Sequence, residues 1–125
     1  MYFKLSLMAA AAFAASAQAA SKPAPTGRQL NQTTWAYVED GRALRMSIDA
    51  DGNYVEETLS GKVTGHGTAV MKGAKDCFTP AMSKDGEHCW TSKRLKIGQS
   101  MLSVSDKGER LKVTRIKYIP MKMQG

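Results

Sequence analysis

Cys77 and Cys89 are the only cysteines of the chain, and His66 and His88 are its only histidines. Between them these four side chains hold all of its thiol and imidazole chemistry. Three roles compete for the sulfurs: a structural disulfide, a redox pair and a zinc site. Redox catalysis favours Cys-x-x-Cys, in which the neighbouring thiol and a helix N-terminus lower the pKa, whereas eleven residues separate these two. Zinc needs four ligands, and on a strand the adjacent His88 and Cys89 point to opposite faces and do not share one ion. Two cysteines with none left over then read as one disulfide, Cys77–Cys89. No metal and no cofactor is expected.

Other chemistry-bearing residues are sparse. Asp49-Ala50-Asp51-Gly52-Asn53 hints at a calcium loop but lacks glycine at the sixth position and glutamate at the twelfth, and reads as a hairpin turn. Methionines such as Met121 and Met123 could hold Cu(I), although gap filling and a loose tail account for them. Glu56 and Glu57 are adjacent and face apart on a strand. There is no nucleophile elbow, phosphate loop or metalloprotease helix motif. A non-enzymatic protein is expected.

Charge divides along the chain, whose formal net charge is +7. From Ala20 to Ser92 there are eight basic and nine acidic residues; from Lys93 to Gly125 there are nine and two. Lys93, Arg94, Lys96, Arg110, Lys112 and Lys117 form a candidate basic patch for an anionic envelope component, weighed against a solvated outer face.

The compartment is read from the first residues. Lys4, the apolar run Leu5 to Ala15 and the small residues Ala17 and Ala19 predict a signal peptide over 1–19, with the mature protein periplasmic or secreted. Such a run is too short to span a bilayer, so no membrane span is expected after cleavage. Ala20 stands where a lipid-anchor cysteine would, and nucleic acid is not expected as a partner. Residues 20–32, with Pro23 and Pro25, read as a flexible arm; 33–119 as one domain; and 120–125 as a tail.

Positioning these residues falls to strands. Outside the signal no amphipathic helix pattern appears, and short alternating runs recur about every ten residues between glycine-bearing turns. Eight are predicted: Thr33 to Val38, Arg42 to Asp49, Asn53 to Ser60, Lys62 to Met71, Lys75 to Thr79, Glu87 to Ser92, Ser100 to Asp106 and Glu109 to Tyr118. Short turns make neighbours antiparallel, and closing the meander removes two exposed edges. The expected fold is all-β: an up-and-down meander of about eight strands closed into a small barrel with one disulfide.

Alternation assigns the interior to Trp35 and Tyr37; Leu44, Met46 and Ile48; Val55 and Leu59; Leu102 and Val104; Leu111 and Val113. A barrel of this size has room for side chains or for one small ligand, and an interior filled by side chains is the plainer expectation. Setting Cys77 opposite Cys89 places Phe78 opposite His88 and Asp76 opposite Trp90, with the sulfurs on the outer face. Asp76, His88 and Trp90 then become candidate ligand-lining residues, Asp76 and His88 lying within reach of a cross-strand hydrogen bond.

Trp35 in the first strand and Arg115 in the last give the chain a resemblance to calycin-type barrels, the group of lipocalins, fatty-acid-binding proteins and avidin-like proteins. The resemblance implies that this pair packs together to close the barrel's base. A small, apolar ligand in the interior is a candidate partner, beside an anionic envelope component. The plan is similar as well to small secreted bacterial metalloprotease inhibitors, whose mobile N-terminal arm plugs the protease cleft; the stretch 20–32 would be that arm and a protein the partner. The Cys-Phe and Cys-Trp hairpin resembles that of short uncharacterised periplasmic proteins of proteobacteria, which implies no activity.

Overall fold

The computed structural model describes residues 27–122. The expected signal peptide, the first part of the expected arm and the end of the tail, including Met123, lie outside the described residues. Eight strands form: β1 (Thr33–Glu39), β2 (Arg42–Ile48), β3 (Asn53–Thr58), β4 (Val63–Lys72), β5 (Lys75–Pro80), β6 (His88–Thr91), β7 (Ser100–Val104) and β8 (Arg110–Ile116). Every end falls within two residues of the prediction.

All pairings are antiparallel, in the order β6-β5-β4-β3-β2-β1-β8-β7. The first strand is therefore hydrogen-bonded on both sides, to β2 and to β8. The β1–β2 hairpin shows why the turns fall where they do. Asp40 and Gly41 both take positive φ, 53° and 77°, the requirement of a two-residue turn that matches the twist of the strands it joins.

The barrel is nearly closed. Between β6 and β7 there is no continuous ladder, only an isolated bridge from Trp90 to Ser105 and side-chain links. The Ser103 hydroxyl donates to the Thr91 carbonyl at 2.7 Å, the Val104 N–H to Thr91 Oγ1 at 3.0 Å, and the Asp106 N–H to the Cys89 carbonyl at 2.9 Å.

The disulfide joins Cys77 and Cys89 across β5 and β6 in the predicted register, with Phe78 opposite His88 and Asp76 opposite Trp90. The sulfurs are on the face turned away from the interior, and Cys77 is nonetheless buried there.

Two interior assignments are corrected. On β3 the inward residues are Tyr54 and Glu56, cross-strand partners of Ile48 and Met46, while Leu59 is exposed. Val55 is buried on the outer face, in a row with Ser47 and Thr34, because the chain returns across this face after β8. The Ile119 N–H donates to Thr34 Oγ1 at 2.8 Å, and the Ser47 hydroxyl donates to the Ile119 carbonyl at 2.6 Å. On β7, Met101 and Ser103 point inward and Leu102 is exposed, paired with the outward Lys112.

The core occupies one end, the base, where β1, β3 and β7 begin. Trp35, Ile48, Tyr54, Ala69 and Met101 pack there, joined by Leu30 from the segment before β1 and Leu95 from the loop after β6. Residues 27–32, the described part of the expected arm, are thus docked: Leu30 is buried and Arg28 forms an ion pair with Asp76. Leu30 gains a hydrophobic site there, and the guanidinium finds a carboxylate in the barrel wall.

Gly67 marks the tightest point of the wall. A Cβ at this position would lie 2.1 Å from the Thr79 carbonyl oxygen and 2.9 Å from a Tyr54 ring carbon. Gly67→Ala is expected to destabilise the fold by at least about 1–3 kcal/mol, read as a lower urea midpoint at unchanged slope. An unchanged midpoint would show that β4 and β5 separate freely.

Candidate functional site

Above the packed base the interior opens into a cavity of about 340 Å³. Its apolar wall consists of Trp35, Phe78, Trp90, Met46, Leu111 and Val113. Tyr54 meets Phe78 edge to face, with ring centroids 5.6 Å apart, which fixes both rings. The Trp35 indole N–H donates to Thr33 Oγ1 at 2.8 Å, so its polar atom is satisfied and its ring faces the cavity. Space exists because the inward position of β4 opposite Glu56 is Gly65, where a Cβ would meet only Glu56 at 3.9 Å, and because the inward residue of β7 next to Met101 is the small Ser103.

The other end of the cavity is acidic. Glu39 ends β1, Glu56 projects from β3 and Glu109 precedes β8; all three line it. The Tyr37 hydroxyl donates to one Glu56 oxygen, and the Thr64 hydroxyl to the other at 2.8 Å. The Ser105 hydroxyl donates to Glu109 at 3.3 Å. Electrostatics follow this geometry. Burial, then the Glu56 charge, pushes the Tyr37 phenol well above its usual range. The same two causes, in the same order, push Tyr54 up to about 12. Glu39 is held above the ordinary carboxylate range, first by burial and then by the charges of Glu56, Asp40 and Glu109, with Arg42 opposing.

The candidate lining residues Asp76, His88 and Trp90 all border this cavity. The cross-strand bond expected between Asp76 and His88 does not form among the described residues; the Asp76 carboxylate is taken by Arg28 from the base. The guanidinium is the stronger partner, since it brings full opposite charge to a buried carboxylate.

Trp35 and Arg115 stand opposite one another in the β1–β8 register. Arg115 donates to the Leu95 carbonyl at 2.9 Å and to Gln29 Oε1 at 3.1 Å, tying the loop after β6 and the N-terminal segment to β8. The six basic residues are exposed and none lines the cavity: Arg110 and Lys112 on the outer face of β8, Lys93, Arg94 and Lys96 in the loop after β6, and Lys117 just after β8. Cys77, Glu87 and Cys89 come together, but both sulfurs are consumed in the disulfide.

Glu39, Glu56, Glu109 and Tyr54 escaped the sequence reading as site residues. The signal for two of them was present: a Gly-x-Gly at two-residue spacing in a strand makes room for large partners across it, here Glu56 and Tyr54. Comparison with family models, curated proteins and solved structures gives no match to this chain.

Proposed function

We propose that this is an exported, non-enzymatic β-barrel protein that holds a small molecule with an apolar body in its interior. The observation that carries this reading is the cavity itself, about 340 Å³ with an aromatic wall, a packed base and a polar opposite end. That volume lies at the lower end of the range for small-molecule sites. Among the described lining residues no hydrogen bond couples His88 to a hydroxyl, and the Ser103 hydroxyl donates to the Thr91 carbonyl. The arrangement of Trp35 and Arg115 on adjacent first and last strands accords with a calycin-like plan.

Binding of an anionic envelope component on the outside is a second reading. Leu102, 51% exposed beside Lys112, and Ile97, 60% exposed beside Lys96, give that surface an apolar element among its charges. An inhibitor-like role through the N-terminal arm gains nothing from residues 27–32, which are engaged at the base.

Native mass spectrometry of the protein isolated without unfolding tests the cavity reading. A bound mass of small-molecule size is expected, released on denaturation and missing from Leu111→Trp, which fills the cavity. A folded wild type with no adduct, and no response of its fluorescence to added alcohols, amphiphiles or aromatics, would refute it.

A further inference from the structure

The cavity is acidic in a basic protein. The chain has 18 lysines and arginines against 11 aspartates and glutamates, yet the lining includes Glu39, Glu56, Asp76 and Glu109 and neither lysine nor arginine. Asp76 is matched by Arg28 at the base. Among the described residues, Glu56 accepts from the neutral hydroxyls of Tyr37 and Thr64 and Glu109 from that of Ser105, and no ion pair neutralises Glu39, Glu56 or Glu109. Arg42 is the register partner of Glu39 in the β1–β2 hairpin, but it is exposed and no ion pair joins it to a lining carboxylate among the described residues. The Tyr37 ring, whose hydroxyl bonds Glu56, stands beside the carboxylates, and Trp35 and Trp90 line the same cavity.

Resting on the cavity reading, we propose that the ligand is an organic cation: an amine or quaternary ammonium head seated among Glu39, Glu56 and Glu109, with an apolar tail against the aromatic wall. Three carboxylates without a counter-cation repel an anionic head and gain when a positive one enters. Aromatic faces beside them add the attraction of ring quadrupoles for an alkylammonium group. The basic outer face then serves solubility and leaves selectivity to the interior.

Glu39 supplies a pH dependence. Burial and the negative charge of Glu56, Asp40 and Glu109 hold its pKa up against the influence of Arg42, and a bound cation stabilises its ionised form. Affinity for the cation therefore rises as pH rises through the Glu39 pKa and levels off above it. Tyr37 stays neutral in this range, and His88 faces the same cavity from β6.

The test uses the full mature chain and three probes with one tail: octyltrimethylammonium, octanol and octyl sulfate. Trp35 and Trp90 are the only tryptophans and both line the cavity, so intrinsic fluorescence reports occupancy of the interior and not adsorption on the outer face. Octyltrimethylammonium is expected to bind about tenfold or more tighter than octanol, with octyl sulfate weakest. The double variant Glu39→Gln, Glu109→Gln lowers the preference for the ammonium probe over octanol several-fold; an unchanged preference overturns the charge assignment. Equal affinity for the three probes, or tighter binding of the sulfate, overturns the charge assignment and leaves the cavity reading standing. No fluorescence response to any probe overturns both.

Discussion

Arg28→Ala is expected to lower the unfolding free energy by about 3–5 kcal/mol, the range for removing one partner of a buried ion pair. The side chains of Arg28 and Asp76 are 4% and 10% exposed, and the guanidinium also donates to the Gly73 carbonyl at 2.7 Å. Alanine leaves the Asp76 charge without its partner in the low-dielectric base, and a carboxylate cannot be desolvated cheaply. Leu30, two residues further on, loses its tether. The measurement is urea unfolding followed by far-ultraviolet circular dichroism. Adding Asp76→Asn to Arg28→Ala removes the stranded charge and should recover a substantial part of the loss, as in a double-mutant cycle. An unchanged midpoint in Arg28→Ala would show that residues 27–32 do not hold the base.

Reduction of Cys77–Cys89, or its replacement by two serines, is expected to cost about 3 kcal/mol. The bridge closes a loop of sequence separation 12, and the chain-entropy relation gives that magnitude for so short a ring. In a domain of this size the loss corresponds to a melting temperature lower by about 12–24 °C. Its structural effect is local. Strand β6 has four residues, pairs fully only with β5, and meets β7 through one bridge and a few side-chain bonds. Hydrogen exchange should therefore accelerate most from His88 to Thr91 and least in β1 to β3. Equal melting temperatures for the oxidised and reduced protein would contradict the role of the bridge.

The cysteine hairpin shows what a sequence can deliver. Once Cys77 is set opposite Cys89, the two-residue period of a strand leaves no freedom, and the partners of Phe78 and Asp76 follow. Glycine-bearing turns fixed the strand limits for a similar reason, since few residues accept the backbone angles of Asp40-Gly41. Hydrophobicity marked the interior less well at two outward positions. Val55 is apolar because the returning chain covers its row at Ile119, and Leu102 is apolar on an open surface; each mimics an inward residue. Glu56 had the opposite disguise, a charge inside a barrel, tolerable because Tyr37 and Thr64 bond it. Arg28 was invisible for another reason: its partner is 48 positions away, a distance that local patterning does not span.

The pairing of the last strand with the first has a kinetic consequence. β1 pairs with β8, and Ile119 reaches Thr34 across 85 positions. Contacts of such long range are entropically the costliest to form and slow the search for the native state. While the polypeptide is still emerging, β1 has only its hairpin partner, and its other side is an unpaired edge of the kind that recruits neighbouring chains into aggregates. Closure is thus a late step, one that waits for β8 and Ile119 to meet β1.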